Sequence, residues 1–424
     1  MTGPTTYFDP ASIDDLDPAT ADLVRRRIAA LGPAYRLFYR EPVQFVRGER
    51  AHLFTADGAD YLDAYNNVPS VGHAHPRVVA AIAEQAARLS THTRYLDAAT
   101  VAYAEDLLGT FPAPLSNVMF ACTGSEANDL ALRIAKAATG GTGVIVSANA
   151  YHGTTTEIAG ISPSLVGPER LAPWARAVPA PGSDVGIAAA VRTTLGELAA
   201  LGIRPAALLV DTVFASDGVH PDLPGLADAV AAVRDAGGLF IADEVQPGFG
   251  RLGSAMWGFE RLGLEPDLVT LGKPMGNGYP VSAVVARPEP TAAFAAGSRY
   301  FNTFGGNPVA IAAAQATLDV LREERLLENA SRVGARLVDG IRSLPRVAEV
   351  RGAGLFLGVD LVGRDGTPDE GFTLDVVEAM KHRRVLLATA GVTNTTLKIR
   401  PPLPFDDADA DRLLDALAAV LSGA

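Results

Sequence analysis

The chain has 424 residues, 48% of them apolar, with 42 Gly, 29 Pro and a formal net charge of −12, a profile of a globular α/β enzyme long enough for two or three packed units. The acidic balance and the lack of any Lys/Arg run argue against nucleic acid as a partner, and no apolar stretch reaches the ~18 residues of a membrane helix, so no membrane is expected either. One cysteine, Cys122, excludes an internal disulfide and fits a reducing compartment, and Met1–Pro18 lacks the basic and apolar regions of a signal peptide, so a cytoplasmic location is the default expectation.

In chain order, the first 20 residues read as an extended arm, followed by a helix over Asp22–Leu31 that ends at Gly32-Pro33. Residues 42–63 alternate apolar and polar positions around an Asp57-Gly58 turn, which predicts a hairpin or short meander. From Pro76, helices (Arg77–Leu89, Ala98–Thr110, Glu126–Ala138, Leu226–Asp235) alternate with short apolar runs (Val118–Thr123, Val144–Ser147, Ala207–Val213, Leu239–Ala242, Leu268–Leu271, Val281–Ala286). Fully apolar strands between helices predict a mostly parallel sheet covered on both faces. After Pro308 come helices over Val309–Glu323 and Leu327–Leu344, an alternating segment Val347–Leu361, a helix Leu374–Arg383, strands near Val385–Leu387 and Thr396–Ile399, and a last helix Ala408–Leu421. The expected fold class is α/β, with a large domain over 66–315, a smaller α+β domain over 316–424, and residues 1–65 packing with the small domain.

Three sites carry chemistry. At Ala121-Cys122-Thr123-Gly124-Ser125-Glu126 an apolar strand meets a helix start, whose free N–H groups and partial positive charge suit a phosphate. The same residues also make an ordinary capped helix, with Ser125 as the cap. At Phe240-Ile241-Ala242-Asp243-Glu244 two carboxylates close a buried strand, where ligands of parallel sheets sit. A buried carboxylate needs a cationic partner, such as a protonated pyridine nitrogen, or a structural ion pair. At Leu271-Gly272-Lys273-Pro274-Met275-Gly276-Asn277-Gly278 a lone lysine enters a Gly-rich loop. Desolvation there lowers its pKa and suits it to imine formation, although an isolated lysine in a turn is more often a surface residue.

Together, Asp243-Glu244-Val245-Gln246-Pro247-Gly248-Phe249-Gly250-Arg251 and Gly272–Gly278 resemble the motifs of class III aminotransferases, fold-type-I enzymes that use pyridoxal 5′-phosphate. The resemblance runs from Gly32 to Leu421. It implies that Lys273 holds the cofactor and shuttles protons, and that Asp243 faces the pyridine N1–H and keeps the ring an electron sink. Gly124 and Ser125 would hold the cofactor phosphate, Tyr151 would stack on the ring with His152 beside it, and Gln246 would lie near the ring O3′ with Val245 next to it. Thr303 would reach the cofactor phosphate of a second subunit, which implies a homodimer. The implied ligand is a small primary amine, and no metal ion is expected.

The chain departs from typical transaminases of the family at two positions. Lys398 stands where an Arg usually clamps a substrate carboxylate, with Arg400 two residues on and so on the same strand face. Asp211 stands near the cofactor where many members carry Glu. Lys398-Ile399-Arg400-Pro401-Pro402, Tyr65-Asn66-Asn67-Val68, Thr93-Arg94-Tyr95-Leu96 and Gly32–Phe38 resemble the family's phospho-lyase branch, which eliminates phosphate from ethanolamine phosphate or 5-phosphohydroxylysine. That resemblance makes Arg36, Arg94, Lys398 and Arg400 the expected binders of a substrate phosphate; each also fits the ordinary role of a solvated surface cation. Transamination is the alternative reaction. A racemase or epimerase, and a non-catalytic scaffold, are further ones.

Overall fold

A computed structural model describes residues 7–423. The N-terminal segment forms strands β1 (Arg47–Glu49), β2 (His52–Phe54) and β3 (Asp60–Asp63). The large domain carries β4 (Asn117–Ala121), β5 (Gly143–Ser147), β6 (Ala175–Val178), β7 (Pro205–Asp211), β8 (Leu239–Asp243), β9 (Leu268–Leu271) and β10 (Ser282–Ala286). The C-terminal unit carries β11 (Val347–Ala353), β12 (Phe356–Leu361), β13 (Val385–Leu386), β14 (Ala388–Ala390) and β15 (Thr396–Ile399).

The large sheet has seven strands in the order β4-β10-β9-β8-β7-β5-β6. Only β10 runs antiparallel to its neighbours, so the α/β class with a mostly parallel sheet holds. Ala206–Val210 of β7 are all fully buried because helices cover both faces of the sheet, which is why these strands lack polar alternation. A smaller sheet, β11-β12-β15-β14, forms the C-terminal layer.

β3 pairs in parallel with β13, which joins the N-terminal segment to the C-terminal unit. Polar contacts reinforce the joint. The Arg40 backbone N–H donates to Glu378 at 2.6 Å, and His52 lies 3.0 Å from Asp409. The large domain meets the C-terminal unit through Arg251, whose guanidinium donates to the carbonyls of Leu355 (3.1 Å) and Pro401 (2.6 Å).

The expected N-terminal arm is instead structured where it is described. A 3-10 turn spans Pro10–Asp15, and a helix starts at Pro18, capped by Asp17 with Pro at its first position. The part of the arm over residues 1–6 lies outside the described residues. Among the elements the sequence did not signal are the short edge strand β6, the helix Pro288–Gly297 and the helix Ile187–Ala200, whose Ala-rich run lacks a sharp polar face.

Candidate active site

The carboxyl ends of β4, β7, β8 and β9, with the loop after β5, enclose a cavity of about 310 Å³. This is the place where a parallel sheet presents its loops to a ligand.

The helix Gly124–Thr139 opens one wall. Its cap is Thr123, not Ser125. Thr123 Oγ1 accepts the Glu126 N–H at 3.2 Å, and the Glu126 carboxylate accepts the N–H groups of Cys122 (2.8 Å) and Thr123 (3.0 Å). That reciprocal box leaves the N–H groups of Gly124 and Ser125 with no acceptor among the described residues. Ser125 Oγ also faces the cavity and accepts the Thr154 N–H at 3.1 Å. A side chain at Gly153, which has φ 138°, would fall 2.5 Å from Ser125 Oγ, so the loop after β5 can approach this closely only as glycine.

Opposite lies Asp243, buried at 4% exposure. Its carboxylate accepts from His152 Nδ1 (2.7 Å), Asn128 Nδ2 (3.0 Å) and the Val245 N–H (3.0 Å). Burial raises its pKa, but the His152 hydrogen bond and charge, with the other two donors, outweigh that and hold it below the ordinary value. Asp243 is therefore a carboxylate fixed in the charged state and pointed into a cavity. Glu244, the next residue, faces away. It accepts from Thr212 Oγ1 (2.8 Å) and from the N–H groups of Gly258 (2.8 Å) and Phe259 (2.9 Å), and burial pushes it up to about 7. Strand alternation assigns the first carboxylate to the site and the second to the scaffold.

Asp211 is the register partner of Asp243 on the adjacent parallel strand. Its carboxylate accepts the N–H groups of Val213 (2.9 Å) and Ala215 (3.2 Å) and is pushed up to about 6 by burial and by the Asp243 charge. Lys273 lies one glycine past the end of β9 and lines the cavity, and its Nζ meets no hydrogen-bond acceptor among the described residues. Burial lowers its pKa, Arg400 adds to the effect, and Asp243 and Asp211 oppose it. Tyr151, His152, Val245 and Gln246 line the same cavity.

From the C-terminal unit, Arg400 reaches Gln246 and donates a hydrogen bond from Nη1 to its Oε1; its Nε donates to the Tyr65 carbonyl at 3.3 Å. Lys398, on β15, is buried at 7% exposure, with no hydrogen-bond acceptor among the described residues. Burial and the Arg400 charge push it down to about 7, while Asp211 and Asp217 pull it up.

Three expected site residues lie elsewhere on this chain. Arg36 is exposed and sits 5.5 Å from the Tyr7 ring centroid; Tyr7 stacks on Phe38, which meets Tyr65 edge-on. Arg94 lies 3.8 Å over Phe301, and Thr303 is exposed between Phe301 and Phe304. None of the three lines the cavity, and Lys398 and Arg400 stand behind its wall, Arg400 reaching it through Gln246. Two residues that do organise the site were not singled out from sequence. Asn128 bridges Asp243 and the His152 carbonyl (2.8 Å), and Asp217 accepts from Ser147 Oγ (2.6 Å) and the Asn149 N–H (2.8 Å), holding the loop that carries Tyr151 and His152. The available signal for Asn128 was a polar residue one turn into a helix whose neighbours Ala127, Leu130 and Ala131 are all apolar.

This constellation fits pyridoxal 5′-phosphate on its own geometry. Two free backbone N–H groups and a serine could hold the phosphate, an ionised buried carboxylate could hold a protonated ring nitrogen, and a desolvated lysine could hold the aldehyde. No group of three or more His, Cys, Asp or Glu side chains that could bind a metal occurs among the described residues, and no helix there is long and apolar enough to cross a membrane.

Comparisons with known proteins agree with this reading. The family model described as "Aminotransferase class-III" matches residues 39–421. An "Alanine--glyoxylate aminotransferase 2-like" protein of Drosophila melanogaster is 39% identical, over 94% of this chain and 87% of that one. The "Ethanolamine-phosphate phospho-lyase homolog 1" of Caenorhabditis elegans is 35% identical, over 95% of this chain and 93% of that one. Among solved structures, a phospholyase from Arthrobacter in complex with phosphoethanolamine superposes with a TM-score of 0.91 at 41% identity, covering 95% of this chain and all of that one. An ornithine aminotransferase from Toxoplasma gondii gives a TM-score of 0.82 at 26% identity, covering 95% of this chain and 94% of that one. With an open helix start, a buried carboxylate and a desolvated lysine around one cavity, and a family match across nearly its whole length, the chain belongs to the class III aminotransferases, enzymes dependent on pyridoxal 5′-phosphate.

Proposed function

We propose that this enzyme is a phospho-lyase that eliminates phosphate from a small amine bearing a phosphate on the neighbouring carbon, with ethanolamine phosphate as the first candidate. The observation that carries the reading is the buried pair Lys398 and Arg400 beside the cofactor cavity. A buried guanidinium and a buried amine poised near neutrality, neither with a paired carboxylate, would both be held in the charged state by a dianionic ligand. The phospholyase and phospho-lyase homolog among the similar proteins support the same choice.

In this reading the bound cofactor supplies an electron sink for the carbon that carries the amine. Asp243, held ionised by His152 and Asn128, would keep the ring nitrogen protonated. Lys273 would hold the cofactor, and its Nζ, whose pKa burial lowers, would take the proton from that carbon. Lys398 and Arg400 hold the phosphate on the neighbouring carbon, so that loss of the leaving group follows proton removal. Gln246 is kept in place by Arg400.

The active unit in this proposal is a homodimer. Arg94, Thr303, Tyr95, Leu96, Phe301 and Phe304 share an exposed aromatic surface outside this chain's own cavity, with Tyr95 67% and Phe304 68% exposed. A second copy covering that surface would bring Thr303 and Arg94 to the neighbouring site. Light scattering on the purified enzyme tests this, and a monomer with full activity would refute it.

The function is tested by giving the loaded enzyme ethanolamine phosphate with and without 2-oxoglutarate or pyruvate. Inorganic phosphate and ammonia released without a keto acid are the expected products. Amine transfer that requires a keto acid, with no phosphate released, would establish the second reading, transamination, which the alanine–glyoxylate aminotransferase-like relative favours.

A further inference from the structure

Elimination of a phosphate monoester breaks the C–O bond, and the bonding electron pair leaves with the phosphate oxygen. From a bound dianion that produces a trianion, one of the most basic forms phosphate can take. The site must therefore supply a proton to the bridging oxygen as the bond breaks, or the reaction is slow. Resting on the phospho-lyase reading above, we propose that Lys398 is the acid that donates this proton, in addition to binding the phosphate, so that two lysines divide the chemistry: Lys273 takes the proton from carbon and Lys398 gives one to the leaving group. Atoms balance. The C–H electron pair becomes a new carbon–carbon double bond as the C–O bond breaks: the carbon-bound proton goes to Lys273, the phosphate leaves as HPO₄²⁻ with the Lys398 proton, and Lys398 regains a proton from solvent as Lys273 returns one to it.

The geometry points to Lys398 over its neighbours. Arg400 is charged but a poor donor, because a guanidinium releases its proton only at high pH, and it is already bonded to Gln246 and the Tyr65 carbonyl. His152 is bonded to Asp243. Lys398 is buried on β15, between Ala388 of β14 and Gly358 of β12 in register, and its ammonium meets no acceptor among the described residues. The charged groups that bear on it are Arg400 on its own segment, Asp211 at the end of β7, Asp217 in the following loop and Lys273 after β9. Two cations and two carboxylates around a buried amine, with burial pressing it toward neutrality, make a group that can both hold and release a proton near neutral pH. A lysine that only bound phosphate would gain nothing from that poise.

The test compares wild type with Lys398→Arg and Lys398→Met as loaded enzymes. Arginine keeps the charge but cannot serve as the acid. Wild type must first release phosphate from ethanolamine phosphate; if it does not, both the phospho-lyase reading and this inference fall. Given release, Lys398→Arg is expected to keep its affinity for inorganic phosphate within a few-fold yet lose about 10²-fold or more in kcat, the usual weight of general acid catalysis. With 2-chloroethylamine, whose chloride leaves without a proton, both variants are expected to lose at least about ten-fold less than they lose with the phosphate ester. A second readout needs no turnover. Calorimetry of inorganic phosphate binding in two buffers of different ionisation enthalpy, above about pH 7 where free Lys398 is largely neutral, should show proton uptake by wild type and less by Lys398→Met. Wild-type kcat for phosphate in Lys398→Arg would overturn the proposal and leave Lys273 as the proton's source. So would equal proton uptake in wild type and Lys398→Met.

Discussion

Asn128→Ala should destabilise the protein more than any exposed substitution and should act through Asp243. The Asn128 amide donates two hydrogen bonds in a region closed to water, to the Asp243 carboxylate at 3.0 Å and to the His152 carbonyl at 2.8 Å. A bond to a charged acceptor is worth about 1.5–3 kcal/mol and a neutral one about 1 kcal/mol, so losing both costs roughly 2.5–4 kcal/mol. Asn128→Leu keeps most of the volume and so separates that loss from cavity formation. Asn128→Asp goes further, setting a second carboxylate against Asp243 with His152 as the one cation-capable neighbour hydrogen-bonded to it. The measurement is the urea midpoint of the cofactor-free enzyme, read together with the affinity of each variant for pyridoxal 5′-phosphate. Asn128→Ala and Asn128→Leu should both shift the midpoint down, and cofactor affinity should fall because Asp243 is left with fewer donors. Variants within about 0.5 kcal/mol of the parent, the range of ordinary surface changes, would refute the claim that this buried network is energetically important.

Lys273→Ala should abolish the visible absorbance of the cofactor–lysine bond along with turnover, and retained activity would overturn its assignment. Thr123→Ala removes the cap of the cofactor-binding helix and should cost about 1 kcal/mol in urea denaturation, whereas Ser125→Ala, which does not cap, should leave stability nearly unchanged and weaken cofactor binding instead. His52 gives a pH signature. The hydrogen bond His52 donates to Asp409 raises its pKa, burial opposes this, Asp60 adds to Asp409, and the net value in the fold lies above the ordinary 6.5. Its contribution is therefore complete below pH 6.5 and is lost as pH rises through the folded value. The urea midpoint should fall across that window, and His52→Gln should flatten the fall; an unchanged slope would sink the argument.

The parts of the fold that could be read from the chain were those in which burial leaves a one-dimensional trace. β7, β8 and β9 are apolar on both faces, and their polar ends, Asp211, Asp243 and Lys273, fall where a parallel sheet presents ligand sites. β6 left little trace, because an edge strand of four residues carries a half-buried arginine and no alternation. The helix Ile187–Ala200 was hidden by its alanines, which suit either face. At the helix start the polar residues were visible but their roles were not. A cap at Ser125 would have occupied the helix-start groups that a phosphate needs, and the cap at Thr123 leaves the Ser125 hydroxyl able to donate to one while it accepts the Thr154 N–H.

Sequence period explains the C-terminal cations only in part. Two residues apart on a strand, Lys398 and Arg400 had to share a face. What that face looks onto depends on how the C-terminal sheet docks against the large domain, with Arg251 bonded to the Pro401 carbonyl at the joint. That docking sets Lys398 against Asp211, Asp217 and Lys273, groups 125 to 187 positions away in the chain. Arg400 sits on Gln246 by the same docking. A substitution at Arg251 should therefore reach the phosphate cations without touching them. Arg251→Met, unbranched and apolar like the arginine stem, removes a buried guanidinium whose Nε and Nη2 have no partner, so the fold should tolerate it better than the loss of an ordinary buried charge. The two lost carbonyl bonds should loosen the joint, and inorganic phosphate should bind more weakly while cofactor affinity stays near that of the parent. Equal losses in both would mean that Arg251 supports the whole site rather than the docking of β15.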